Sequence, residues 1–383
     1  MRTSLRLALI IVAVHLYMGW RLIPDMPYGN WGTAFVVIAL AFSACVMPFG
    51  EFARRNKLSP IADQLSGAGF IAMGFFSSLL VLTLLRDLLL FAAFAAGGNF
   101  MDAATLLALH RWSAAAVPGV ALLMTVAGYA NARRRAAVRT VDVPIAGLPA
   151  RLDGFSIAQI SDVHVGSTIK GDYVGRIVDA VNALHPDMVA VTGDLVDGGV
   201  NRLAPHTAPL ARLSSRHGTY FVTGNHEYYS GANAWIAEMR RLGLRVLLNE
   251  HAVLDHEGEA VIVAGVTDYS AHHFDPAQRS DPARALAGAP ADAAVKILLA
   301  HQPRTAFTAA KSDYDLQLSG HTHGGQFFPW NLAIKFVQPF VAGLHRLDDL
   351  WIYVSRGTGY WGPPKRFGAP SEITYLRLVP AKA

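Results

Sequence analysis

Residues 190–197 read Ala-Val-Thr-Gly-Asp-Leu-Val-Asp. The apolar run that leads into them, Met188 to Val191, has the length and character of a buried parallel strand. Thr192-Gly193 lets the backbone turn tightly where the run ends. Asp194 therefore falls at the carboxyl end of a central strand, which is where open α/β sheets place their ligands.

Working outward, four further apolar runs end in side chains that could join Asp194. Phe155 to Ile160 runs into Asp162-Val163-His164. Tyr220 to Thr223 runs into Gly224-Asn225-His226-Glu227. Lys296 to Ala300 ends at His301, and Leu316 to Leu318 ends at Gly320-His321-Thr322-His323. In order the pieces are D-x-H, G-D-x-x-D, G-N-H-E, H and G-H-x-H. Imidazole and carboxylate together suit borderline divalent metals. Asp162 and His164 lie two apart, as do His321 and His323, so on extended strands each pair would face one way.

The ordered set resembles the calcineurin-like metallophosphoesterase superfamily over roughly residues 140–380. Ser161 to Gly166, Gly320 to Gln326 and Arg356 to Glu372 look like its bacterial membrane-linked subgroup. The resemblance implies an α/β/β/α two-sheet sandwich and two divalent metal ions (Mn, Zn, Fe or Ni). It implies one ion held by Asp162, His164, Asp194 and His323, and another held by Asp194, Asn225, His301 and His321. It also implies a catalytic His226 that binds no metal and is oriented by Asp197. Some relatives cleave the pyrophosphate of UDP-diacylglucosamine.

Helix and strand alternate up to about residue 242 and strands dominate afterwards, which independently suggests two sheets with helices outside. Helices are expected at Tyr173 to Leu184, Leu203 to Leu213 and Ala234 to Leu242. Strands are expected at Val143 to Pro149, Val246 to Leu248, Ala252 to Leu254, Ala260 to Val266, Trp351 to Ser355 and Ile373 to Leu378. Asp268, His272 and His273 lie after a strand and read as a plain loop, with an approach to the site as the alternative. His345 and Arg346 read equally as substrate contacts or surface residues. Gly357 to Arg366 reads equally as a loop lining the site or a turn holding a sheet edge.

The first third is different. The chain of 383 residues is 52% hydrophobic and 16% charged, more apolar than a typical soluble domain. The excess lies in residues 1–130, where spans of about 7–23, 34–49, 67–85 and 112–129 match the ~17–25 residues that cross a bilayer. Residues 131–141 read as a basic linker and 142–383 as the metallophosphoesterase domain. No small-residue cleavage site follows the first span, so it reads as a retained helix and not a signal peptide. Apolar sequence resumes after Arg86-Asp87, which places that pair near the interface with Leu88 to Phe94 tilted or lying along it. His15, His110 and Arg86/Asp87 read as interfacial or helix-packing polar residues.

Residues 1–140 hold twelve Lys/Arg against five Asp/Glu, and the remainder 21 against 23. The catalytic part has no basic excess to suggest a nucleic-acid partner. The positive flanks at Arg2 and Arg6, at Arg54, Arg55 and Lys57, and at Arg133 to Arg139 place both termini in the cytoplasm. Cys45 is the single cysteine, which excludes an intrachain disulfide and a thiolate metal cluster. The functional expectation is a membrane-anchored phosphoesterase acting on a phosphodiester or pyrophosphate, with a lipid-linked substrate favoured. The competing readings are hydrolysis of soluble nucleotides or phosphoproteins, and a non-catalytic membrane sensor or scaffold.

Overall fold

The computed structural model describes residues 2–27, 29–55, 60–95 and 102–381; Lys57 lies outside them. The chain divides into two compact units. One holds residues 1–130 together with 362–367, and the other holds 131–361 and 368–383.

The first unit is built on four helices: α1 (Arg2–Leu22), α2 (Gly29–Arg55), α3 (Pro60–Ala95) and α4 (Ala103–Arg133). Each is long and apolar enough to cross a bilayer. All four extend beyond the spans expected from hydropathy, because helical hydrogen bonding continues through flanking polar residues. The largest difference is in α3, which runs unbroken through Arg86-Asp87 to Ala95 over 36 residues. That is about 54 Å of helix, well beyond a ~30 Å hydrocarbon core. Arg86 is only 3% exposed. It donates to Asp25, to the carbonyls of Arg21 and His110, and to Ser113 Oγ. Arg21 in turn donates to both oxygens of Asp87 at 2.8 and 2.9 Å. The pair therefore holds helices together, because a buried charge persists only when paired and hydrogen-bonded.

The second unit contains two six-stranded sheets. The strands are β1 (Ala137–Ile145), β2 (Ser156–Ile160), β3 (Met188–Val191), β4 (Thr219–Phe221), β5 (Arg245–Val246), β6 (Glu250–His256), β7 (Glu259–Gly265), β8 (Val295–Leu299), β9 (Leu316–Ser319), β10 (Gly343–Leu347), β11 (Leu350–Val354) and β12 (Glu372–Pro380). One sheet has the order β1-β12-β2-β3-β4-β5 and the other β10-β11-β9-β8-β7-β6. The sequence boundaries shift in several places: the strand expected to reach Pro149 ends at Ile145, and the helix expected over Leu203 to Leu213 is α-helical only over Val200–Thr207 and tightens to a 3₁₀ turn at Ala208–Arg212. The stretch expected as a linker is the end of α4 and the first half of β1, whose apolar pattern is interrupted by Arg139 and Asp142 on an exposed edge. The strand expected at Val246 to Leu248 pairs only over Arg245–Val246. The edge strand β10 was not anticipated, because Gly343, His345 and Arg346 give it no apolar alternation.

Each central strand is buried on both faces, so its residues alternate between two cores. Val189 and Val191 face a layer of helices that includes α5 (Gly171–Asn182), α6 (Val200–Thr207), α7 (Asn225–Ser230) and α8 (Ala232–Arg241). Met188 and Ala190 face the other sheet, where Val261, Val263, Ile297 and Leu318 meet Ile157 and Leu376. A third cluster covers the far side of the second sheet with Ala285, Ala306 and Ala309. The result is an α/β/β/α sandwich. β2, β3 and β4 run parallel to one another, as do β8 and β9, so five carboxyl ends deliver loops to one region.

Candidate metal centre

The loops after β2 and β3 stay together beyond the sheet. His164 N–H donates to Asp194 O and Val165 N–H to Leu195 O, and Asp197 N–H returns to Val165 O. This short parallel continuation sets Asp162 and His164 alongside Asp194 and Asp197. Asp162, His164, Asp194, His321 and His323 all have positive φ, between 52° and 71°. Non-glycine residues in that region carry strain of about 1–3 kcal/mol each, and such strain gathers at functional sites. The alternation argument for the two pairs therefore fails: neither pair is extended, and the backbone coils to aim each side chain.

Three groups have their ligand atoms close enough to hold one ion. Asp162, His164 and His323 form one, Asp194, His301 and His321 form a second, and His164, Asp197 and His226 form a third that shares His164 with the first. His321 and His323 are thus split between the groups, while Asp162 and His164 share one. Within the first, His164 Nε2 and His323 Nε2 are 3.0 Å apart and His323 Nε2 is 3.5 Å from Asp162 Oδ1. Within the second, His301 Nε2 lies 3.1 Å from Asp194 Oδ2 and 3.2 Å from His321 Nδ1. Asp194 Oδ2 also lies 4.0 Å from His164 Nε2, which puts this carboxylate between these two groups.

Partners behind the rings fix which nitrogen faces inward. His164 Nδ1 donates to Asp197 Oδ1 at 3.1 Å, and His301 Nδ1 donates to Thr192 O at 2.8 Å. Each leaves Nε2 as the atom that faces inward, the orientation metal-ligating histidines adopt. The facing ring nitrogens, at 3.0 and 3.2 Å, are close enough for each pair to share one proton or to bind one cation. Asn225 adds a second sign: its Oδ1 is buried and has no hydrogen-bond partner. The donor set, all imidazole, carboxylate and amide oxygen, fits borderline divalent metals.

His226 belongs to the third group, with His164 and Asp197, and to neither of the two that Asp194 stands between. Its Nδ1 donates to Asp197 Oδ1 at 2.6 Å, and its backbone N–H donates to Asp194 Oδ1 at 2.8 Å. The edge of its ring meets Trp361 at 5.7 Å and Tyr229 at 5.2 Å. Trp361 places one residue of the glycine-rich segment beside His226, while Gly357 O and Thr358 Oγ1 bond the backbone of Glu372 at the start of β12. Burial disfavours the charged form of His226, but the Asp197 hydrogen bond and the charge of Asp194 outweigh it, and its pKa is pushed up to about 9. Burial also opposes charge on His301 and is overcome by Asp194, so its pKa rises well above the usual imidazole range. His321 goes the other way, down to about 3, through burial and the neighbouring His301.

Glu227 is a functional residue the sequence reading named without a role. Its buried carboxylate accepts from the backbone N–H groups of Asp194 at 2.9 Å, Leu195 at 2.8 Å and Gly224 at 2.6 Å. It clamps the loop after β3 to the loop after β4. Its place three residues after Gly224, where α7 starts, is the spacing of a helix capping box and was the available signal. Gly224 itself cannot be larger: a Cβ there would lie 2.2 Å from Asp194 Oδ1.

The remaining candidates stand apart from these groups. Asp268 is buried and accepts from Gln302 Nε2 at 3.2 Å and from Ser270, so it braces the turn after His301. His272 bonds the carbonyl of Tyr269 and His273 is exposed. His345 bonds the carbonyl of Ala342, and Arg346 pairs with Asp349.

The sequence profile of the calcineurin-like phosphoesterase family matches residues 155–325. A protein of Bos taurus described as a transmembrane protein with metallophosphoesterase domain is 41% identical over 68% of this chain and 61% of its own length. A metallophosphoesterase of Helicobacter pylori is 43% identical over 58% of this chain and 60% of its own. Another, of Aquifex aeolicus, is 33% identical over 58% of this chain and 84% of its own. The chain thus spans about three-fifths of the length of the cattle and Helicobacter proteins. It belongs to the calcineurin-like metallophosphoesterases, a family that holds two divalent metal ions for hydrolysis of phosphoric esters. With four bilayer-length helices and relatives described as transmembrane, it is a membrane member of that family. Its relatives include vertebrate as well as bacterial proteins.

Proposed function

We propose that this protein is a membrane-anchored phosphodiesterase or pyrophosphatase. In this reading Asp162, His164, Asp194 and His323 hold one ion, and Asp194, Asn225, His301 and His321 hold the other. The single observation that carries it is the position of Asp194 between the two groups, 3.1 Å from His301 and 4.0 Å from His164. Bound there, two divalent cations would polarise the phosphoryl group and acidify a water to serve as nucleophile.

The chain's own residues do the rest. Asp194 would offset the repulsion between the two cations it is proposed to hold. Asp197 holds the Nδ1 proton of His226, which keeps that ring in one tautomer and leaves Nε2 for the substrate. His226 then hydrogen-bonds a phosphoryl oxygen or protonates the departing oxygen as charge develops on it. Trp361 and Tyr229 flank the ring and limit water around it. An intact His226–Asp197 pair favours an enzyme over a scaffold, since holding metal alone does not need it.

The reading extends to a lipid-linked substrate of the UDP-diacylglucosamine type, because the same chain carries bilayer-length helices that tether the catalytic unit to a membrane. It also puts the catalytic unit on the cytoplasmic side, from the Lys/Arg bias of the flanks. The test is hydrolysis of bis-p-nitrophenyl phosphate by purified full-length protein in detergent with Mn²⁺, followed by an untargeted screen of phospholipid and nucleotide-lipid turnover. Full activity after dialysis against EDTA would rule out the mechanism.

A further inference from the structure

Three residues past His301, the 3₁₀ turn Pro303–Thr305 carries Arg304. Its guanidinium lies over the ring of Tyr269 at 5.5 Å. Its Nε is buried without a hydrogen-bond partner, and among the described residues no carboxylate pairs with it. Arg304 lines an open groove of about 460 Å³, together with Tyr269, Phe307, Lys335, Phe336 and Gln338. Gln338 repeats the pattern, with a buried Oε1 that has no partner. Phe336 is 93% exposed. No acidic residue lines the groove.

Two walls of the groove are tied to loops that carry proposed ligands. One wall is the turn that follows His301. The other wall continues to Val341, whose carbonyl accepts the hydroxyl of Thr322, the residue between His321 and His323. A half-buried guanidinium without a counter-charge is costly to keep, and its planar fork matches phosphate oxygens. The stacked Tyr269 ring holds that fork in place. Exposed aromatic side chains beside it offer an apolar surface to the same ligand.

We propose that this groove binds the part of the substrate beyond the scissile bond. Arg304 and Lys335 would take a second anionic group, such as the other phosphate of a pyrophosphate. Phe307 and Phe336 would take the apolar or aromatic body attached to it. The inference rests on the phosphoesterase reading above and narrows its substrate class to esters with a second negative charge and an apolar portion. Lipid pyrophosphates and nucleotide pyrophosphates share that chemistry.

The experiment uses full-length protein in detergent with Mn²⁺ and three substrates: CDP-diacylglycerol, ADP-ribose and bis-p-nitrophenyl phosphate. The first two carry a second anion, one on a lipid and one on a soluble nucleotide. In Arg304→Ala, kcat/KM for the pyrophosphates should fall about 10–100-fold further than for bis-p-nitrophenyl phosphate, mainly through KM. Arg304→Lys should recover part of that preference, and Lys335→Ala should lose less because the side chain is exposed. Phe336→Ser separates the sources: a loss confined to CDP-diacylglycerol marks an acyl-chain wall, and one confined to ADP-ribose marks a base-stacking wall. Equal losses on all three substrates in Arg304→Ala, or none, overturn the proposal. If the wild-type protein hydrolyses nothing, the phosphoesterase reading fails separately. Calorimetric titration of ADP-ribose and CDP-diacylglycerol then still decides the subsite, with equal affinities for wild type and Arg304→Ala overturning it.

Discussion

One carboxylate oxygen of Asp197 serves two imidazoles: Oδ1 lies 2.6 Å from Nδ1 of His226 and 3.1 Å from Nδ1 of His164. His226 is the proposed acid and His164 a proposed ligand, so this oxygen couples the chemistry to the metal centre. His226→Ala should lower kcat by about 10²–10⁴-fold and leave two metals per protein. Asp197→Asn should lower kcat less, by mis-orienting the same ring, and should also weaken metal retention by about 10–100-fold through His164. In kcat the double variant should be little worse than His226→Ala alone. Metal analysis beside steady-state kinetics checks all three; loss of a metal equivalent in His226→Ala would show that this ring is a ligand.

Asp194→Asn should abolish activity and leave at most one metal per protein, because a single side chain stands between both groups. The protein should still fold, since the residue lies beyond β3 and not among the apolar clusters. Metal content by elemental analysis, with far-UV circular dichroism as the folding control, is the measurement. Two retained metals would mean that Asp194 does not bridge.

Glu227→Ala removes the acceptor of three backbone N–H groups. Leaving buried donors unsatisfied costs about 1–3 kcal/mol for each group. The catalytic unit should melt earlier, and the loop carrying Asp194 should lose its register with α7. Metal affinity should fall with stability. A variant with wild-type Tm and metal content would show that the clamp is dispensable.

Gly224→Ala places a methyl group where Asp194 Oδ1 now sits, with a separation of 2.2 Å. Backbone and ligand must move apart. Metal loading should drop while the thermal transition shifts much less than in Glu227→Ala, because no apolar cluster is disturbed. Titration with Mn²⁺ followed by calorimetry would read the change.

Fusions of alkaline phosphatase and of green fluorescent protein after Ala383 test the cytoplasmic placement. Fluorescence without phosphatase activity is expected. The reverse result would overturn the cytoplasmic placement.

Much of the fold was legible because both sheets are built from short, continuous apolar runs, such as Met188–Val191, that end abruptly in Asp, Asn or His. A strand buried on both faces must be apolar throughout, so its end is marked wherever polar chemistry begins. The spans were legible for a similar reason, although their true helices run further. β10 was not legible, since an edge strand need not bury an alternating face. The unbroken course of α3 was missed because Arg86 is satisfied by Asp25, Ser113 and two carbonyls from other helices, and hydropathy does not see partners.

By itself the sequence determined which side chains stand at the five strand ends, and hence the identity and order of the proposed ligands. It could not determine how they divide. Five of them adopt positive φ, a conformation that Asp and His tolerate but do not encode, so the direction of each side chain depends on the loops packed around it. The sharing of Asp197 between His164 and His226, the Glu227 clamp and the groove at Arg304 were likewise decided only by tertiary structure. Each depends on groups brought together from distant parts of the chain, and residue type and local spacing carry no record of such meetings.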